Sequence, residues 1–163
     1  MGEFGMMISE LHISNFRSFG EEIQSIKIDN LTALIGSNSS GKTSLIMALL
    51  RLFGQKNSDR TLIKTDFHIP TNEDISNINE MKLLIEAKIK FPELKTQDAK
   101  EITTVPEFLK QLIVDEAGKE PYIRMRLVGK WIKGSTPDGD IEQELFYVKV
   151  PYGQEEEKED LIK

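Results

Sequence analysis

Residues Gly36-Ser37-Asn38-Ser39-Ser40-Gly41-Lys42-Thr43 satisfy the pattern G-x-x-x-x-G-K-[ST] in full, and this stretch constrains the fold more than any other in the chain. The pattern needs a strand before it and a helix after it. Upstream, Leu31-Thr32-Ala33-Leu34-Ile35 is short, apolar and closed by Gly36, which predicts a buried strand feeding the loop. Downstream, Leu45, Ile46, Leu49, Leu50 and Phe53 recur at helical spacing, and Gly54 stands where the helix stops.

The residue types suit the holding of a triphosphate. Gly36 and Gly41 let the backbone curl, so that N–H groups of Ser37, Asn38, Ser39 and Ser40 point at phosphate oxygens. The helix that starts there adds its positive end, reaching Ser44 in the first turn. Lys42 supplies a compact charge for the β and γ phosphates, and the Thr43 hydroxyl is placed to ligate a bridging Mg2+. The expected cofactors are ATP and Mg2+. The expected nucleotide-binding set runs through every residue from Gly36 to Ser44, with Thr43 as the metal ligand.

Composition excludes several alternatives. The 163 residues suffice for about one domain with a real core, and 39% hydrophobic with 29% charged content is ordinary for a globular protein. No run approaches the ~20 apolar residues of a membrane span, so no membrane partner is expected. The start MGEFGMMISE lacks the basic flank and apolar stretch of a secretory signal, and a cytoplasmic location is expected. Residues 1–6 read as a vector-derived leader, since the start candidates Met6 and Met7 follow MGEFG. With no cysteine, disulfides, thiolate metal sites and thiol nucleophiles are ruled out. A net charge of −6 means that any nucleic-acid contact needs a local basic patch.

Along the chain, 7–13 and 23–28 read as strands flanking the connection Asn15-Phe16-Arg17-Ser18-Phe19-Gly20. Residues 54–80 read as a polar surface loop, 81–91 as a strand, and 122–133 and 141–150 as long strands joined by a turn over 134–139. After the loop helix, strands outnumber helices. The expected fold class is therefore α/β, a P-loop NTPase with a mixed sheet that has an antiparallel β part, and not a doubly wound parallel sheet. The expected divisions are 7–152 for the nucleotide lobe and 153–163 for an acidic tail or truncated linker.

The string Leu11-His12-Ile13-Ser14-Asn15-Phe16-Arg17-Ser18-Phe19, a second strand, and then LTALIGSNSSGKTSLIMALLRLFG resemble the N-terminal nucleotide lobe of RecF-like and SMC-like ABC-type ATPases. The resemblance is specific over about residues 7–54. Within that group, TDFHIP and the helix leading into PYIRMRLVGKW look most like the ATPase part of OLD-family (overcoming lysogenization defect) ATP-dependent nucleases. The resemblance implies that Arg17 reaches the nucleotide; the plain alternative is a surface arginine in a turn. It also implies a homodimer formed head to tail through the ATPase lobes, and DNA as partner of the full-length protein.

ATPases of that kind also use a signature motif and an acidic strand that positions Mg2+ and activates water. The candidate for the strand is Leu112-Ile113-Val114-Asp115-Glu116. However, Val105, Phe108, Leu109, Leu112 and Ile113 share one helical face, Thr104 with Glu107 makes a capping box, and Gly118 marks a stop, which makes Asp115 and Glu116 helix-end residues. No catalytic residue is assigned. The chain is expected to be a fragment that binds ATP with little hydrolysis of its own.

The remaining candidates have two readings each. His12 and His68, the only histidines, lie in no metal-ligand spacing. For Asp66 the TDFHIP resemblance implies a place near the γ phosphate in a switch-like loop, and the plain alternative is a turn or cap. Arg124, Arg126 and Lys130 share one face of a strand, which either contacts DNA phosphates or pairs across the hairpin with Glu142 and Glu144. The run GQEEEKED reads as disordered. Two function classes follow: the ATP-binding fragment of an OLD-like ATP-dependent DNA endonuclease, in which ATP gates association and nuclease action, or a stand-alone nucleotide-binding regulatory module without hydrolysis.

Overall fold

Alternation of apolar and polar side chains along the long strands decides the layering. In β3 (Glu80–Lys90) the residues Met81, Leu83, Ile85, Ala87 and Ile89 are buried on one face. In β4 (Tyr122–Ile132) Ile123, Met125, Leu127 and Trp131 continue that face, and in β1 (Met7–Ser14) Leu11 and Ile13 complete it. With β2 (Gln24–Lys27), β5 (Asp140–Val148) and β6 (Leu161–Ile162) they form a six-stranded sheet in the order β2-β1-β3-β4-β5-β6, every pairing antiparallel. This computed structural model describes residues 6–30, 32–37, 41–91, 107–154 and 156–163.

Helix α1 (Lys42–Phe53) lies on the apolar face and buries Leu45, Ala48 and Leu52 in the same core as Ile13, Ile85 and Leu127. Among the described residues, the short helices α2 (Asn57–Arg60) and α3 (Glu107–Lys110) are the other α-helices, beside single turns of 3-10 helix. The β4–β5 hairpin turns at Gly139, whose φ of +68° is left-handed. A Cβ there would sit 2.6 Å from the Ile132 carbonyl oxygen, so both conformation and space require glycine.

The strands expected from alternation are present, and the antiparallel part of the expected sheet is what the described residues form. Several other expectations are corrected. Thr32–Ile35 is not a strand: it pairs with no described strand, and Ile35 is 93% exposed. An apolar run becomes a buried strand only where neighbours accept its backbone bonds, and no described strand pairs with this one. Residues 54–80 are irregular but are not a surface loop, because Leu62, Asp66 and Phe67 are buried.

Of the helix expected around residue 109, the described residues show the turn of α3, which ends at Lys110; Thr104 and Val105 lie outside the described residues. Val114 bridges to Tyr122, and this backbone pairing ends the helical path before Asp115 and Glu116. The acidic tail is also ordered against the sheet: Lys149 N–H donates to the Asp160 carbonyl at 2.9 Å, and Tyr147 and Val148 pair with Ile162 and Leu161. Charge alone suggested disorder, but Arg124, buried, and Arg126, partly buried, lie opposite Glu156 and supply a counter-charge.

Candidate nucleotide site

Gly41 begins the site. Its φ of +84° turns the chain from the loop into α1, and a Cβ placed on it would meet Ser18 Oγ at 3.3 Å and Phe19 Cζ at 3.5 Å. Lys42 follows and donates its Nζ to the carbonyls of Gly36 and Ser37, each at 2.5 Å, so the lysine lies back across the loop mouth. Thr43 is exposed at the helix start, while Ser44 is buried. The first turn carries no acidic residue, so no side chain of the turn opposes the positive helix end. Asn38, Ser39 and Ser40 lie outside the described residues.

A second segment is fastened to this helix start. Ser18 Oγ and Ser44 Oγ are 2.7 Å apart. Ser18 belongs to the turn that leaves β1, where Asn15 and Arg17 both have left-handed backbones, φ +52° and +51°. Such conformations cost non-glycine residues about 1–3 kcal/mol and persist where surrounding bonds impose them. Here the bonds are visible: Asn15 N–H to the Gly20 carbonyl at 2.7 Å, Arg17 N–H to that of Asp66 at 2.9 Å, Phe19 N–H to that of Phe16 at 2.8 Å, and His68 N–H to that of Asn15 at 2.9 Å. His68 Nδ1 also lies 2.7 Å from the Arg17 carbonyl, which gives this histidine a structural partner.

Asp66 closes the arrangement from below. Fully buried, it accepts from Arg17 Nη1 at 3.0 Å, from Arg51 Nε at 2.7 Å and from the Ile63 N–H at 3.1 Å. Arg51, on the buried face of α1, also donates Nη1 to the Asp59 carbonyl at 2.7 Å. The capping bond to Ile63 fits the turn-or-cap reading of Asp66, and its two arginine partners add a role that spacing did not suggest. One signal was available in the sequence: Arg51 falls at helical spacing with Ser44, Ala48 and Leu52, on the face that must be buried.

The other charged candidates are engaged elsewhere. Arg124 and Arg126 are not solvated and pair with neither Glu142 nor Glu144. Arg124 donates Nε to Glu86 at 2.6 Å and Nη2 to Glu156 at 3.0 Å; Arg126 donates Nε to Glu86 at 2.5 Å and grips both oxygens of Glu156. Two arginines against two carboxylates leave that face neutral and covered, so it offers no phosphate-binding row. Glu144 pairs with Lys163, and Lys130 with Glu80.

Glu116 accepts from Lys119 and from the Tyr122 hydroxyl, and these bonds hold its carboxyl below the ordinary range. Burial, with Glu116 beside it, pushes the Tyr122 hydroxyl up to about 12. His12 is buried, shares a 2.9 Å hydrogen bond with Ser25 Oγ and stacks on Tyr152 at 4.1 Å. Among the described residues no group of His, Asp or Glu side chains could hold a metal ion by itself, and no helix is long and apolar enough to cross a membrane.

A glycine loop opening onto a helix N-terminus, with lysine and threonine in its first turn and a sheet beneath, defines a P-loop ATPase fold. The chain belongs to the AAA ATPase domain family, whose sequence model matches residues 6–162. Nucleotide binding follows from that membership. No curated protein sequence matches the chain. A solved structure from work on ATP-driven dimerization and DNA-stimulated activation of SMC ATPases is similar to it, at 20% identity over 85% of this chain and 68% of the other, with a TM-score of 0.45.

Proposed function

We propose that the chain is the ATP-binding N-terminal lobe of an OLD-like ATP-dependent DNA endonuclease, and that ATP bound at its phosphate loop gates head-to-tail association of two lobes and, through it, the nuclease. The observation that carries the nucleotide part is the Ser18–Ser44 hydrogen bond, which fastens the strained Arg17 turn to the start of α1. Strain held at such a place is what a preorganised ligand site uses. The OLD-like part rests on the sequence resemblance of residues 7–54 and of TDFHIP.

The nucleotide would be held by the backbone from Gly36 to Gly41 together with Lys42, Thr43 and Ser44. Gly41 fits that role, since its φ of +84° turns the chain into α1 and the position of a Cβ is already taken up by Ser18 and Phe19. Thr43 fits a Mg2+ ion, because its exposed hydroxyl offers one oxygen and this ion ordinarily takes few protein ligands beside phosphate oxygens and water. Bound Mg2+ would supply charge neutralisation between the β and γ phosphates. This chain's residues do the rest: Lys42 exchanges its two carbonyl partners for phosphate oxygens, and Arg17 adds a second cation at the rim.

The test is binding of a fluorescent ATP analogue with Mg2+, by the protein and by Lys42→Ala, with sedimentation in a non-hydrolysable analogue. Binding lost in the variant and a nucleotide-dependent dimer support the reading. Absence of binding overturns it. Binding by a species that stays monomeric favours a stand-alone regulatory module.

A further inference from the structure

The geometry points to Asp66 as a positioning residue for the nucleotide site, acting through Arg17. This rests on the nucleotide role of Arg17 proposed above and adds the residue that sets the guanidinium in place. Asp66 is the one side chain among the described residues to which the Arg17 side chain is hydrogen-bonded, at 3.0 Å. That bond occupies one of five guanidinium donors, and the Arg17 side chain keeps 28% of its surface exposed, so donors remain for a ligand.

The other carboxylate oxygen of Asp66 holds Arg51 of α1 at 2.7 Å, and its backbone carbonyl holds the Arg17 N–H at 2.9 Å. Arg17 is thereby tied twice to Asp66, and Asp66 to the helix whose first turn carries Lys42 and Thr43. A guanidinium on a long flexible side chain is worth most to a phosphate ligand when its orientation is fixed beforehand. A carboxylate bonded to two arginines on different segments fixes it against the helix itself.

The experiment is a double-mutant cycle on affinity for a fluorescent ATP analogue with Mg2+, using Arg17→Ala, Asp66→Asn and the pair, with melting temperature measured for each. Arg17→Ala is expected to weaken binding roughly tenfold, the loss of one charge-assisted contact, and Asp66→Asn roughly fivefold. Asp66→Asn in the Arg17→Ala background should then change affinity by less than about twofold, even though its melting temperature still falls. A merely structural Asp66 would weaken binding equally in both backgrounds, and that result overturns the assignment. If Asp66→Asn does not fold, Asp66→Glu, which keeps the charge and moves it by one methylene, runs the same cycle. If Arg17→Ala leaves affinity unchanged, the nucleotide role of Arg17 falls and this inference with it; if Arg17→Ala weakens binding and neither Asp66 variant does, this inference alone falls.

Discussion

The hydroxyls of Ser18 and Ser44, 2.7 Å apart and partly buried, join the turn leaving β1 to the helix that follows the phosphate loop. Residues 26 positions apart thus share one hydrogen bond at the rim of the site. Ser18→Ala leaves the Ser44 hydroxyl short of a partner in a buried place, which costs about 1 kcal/mol of stability. The same change should weaken nucleotide binding several-fold, since it frees the Arg17 turn. Calorimetric unfolding and titration with an ATP analogue check both effects.

Gly41→Ala should harm the site more than the fold. Its φ of +84° strains any side chain, and the added Cβ would press on Ser18 Oγ at 3.3 Å. The strain falls on the loop-to-helix joint, so nucleotide affinity is expected to drop by at least tenfold, for about 1–2 kcal/mol of destabilisation. A titration showing unaltered affinity would refute this.

Glu156 binds the last segment of the chain to Arg124 and Arg126. Glu156→Ala leaves the buried Arg124 and partly buried Arg126 guanidinium groups short of an acceptor and is expected to cost about 2 kcal/mol, read by denaturant unfolding. Burial alone would raise this carboxyl, but the bonds from Arg126 and Arg124 outweigh it and hold it below the ordinary value of 4.5. A depressed carboxyl stabilises the fold above its unfolded value and loses that contribution as pH falls through the folded one. The wild type should therefore lose stability below pH about 4.5 more steeply than Glu156→Ala.

His12 acts in a different pH range. Burial lowers its affinity for a proton below the ordinary 6.5, against the opposing pull of Glu10. The unfolded chain then takes up a proton at a pH where the folded one does not, so stability falls as pH drops from about 6.5 toward the folded value and levels off below it. His12→Phe, which keeps a ring against Tyr152, should flatten this part of the curve. Melting temperatures between pH 7 and pH 5 decide it.

Much of the sheet was readable because burial on one face imprints period two on a strand, as in Met81, Leu83, Ile85, Ala87 and Ile89. The phosphate-loop pattern stands out in the sequence because its glycines, lysine and threonine follow a fixed spacing that owes nothing to strand or helix periodicity. What stayed hidden depended on contacts between distant segments. Arg124 and Arg126 carry the pattern of a wet strand face, but both pair with Glu86 and with Glu156 of the returning last segment, and Tyr152 lies over Arg124. Asp66 looks like an ordinary turn residue until Arg17 and Arg51 converge on it. Thr32–Ile35 carries a strand's composition, but composition cannot supply the neighbouring backbone that a strand requires.

The turn from Asn15 to Gly20 has a consequence for hydrogen exchange. Surface turns ordinarily trade their amide protons with water quickly, because their N–H groups face solvent. In this turn the amides of Asn15, Arg17 and Phe19, with that of His68 beside them, all donate to backbone carbonyls, and Phe16 is fully buried. The protons of Arg17 and His68 can leave only when this turn and the segment around Asp66 part from each other, whereas those of Asn15 and Phe19 are held within the turn itself. At the rim of the proposed nucleotide site, the Arg17 and His68 amides should thus exchange far more slowly than ordinary turn amides, even before any ligand arrives.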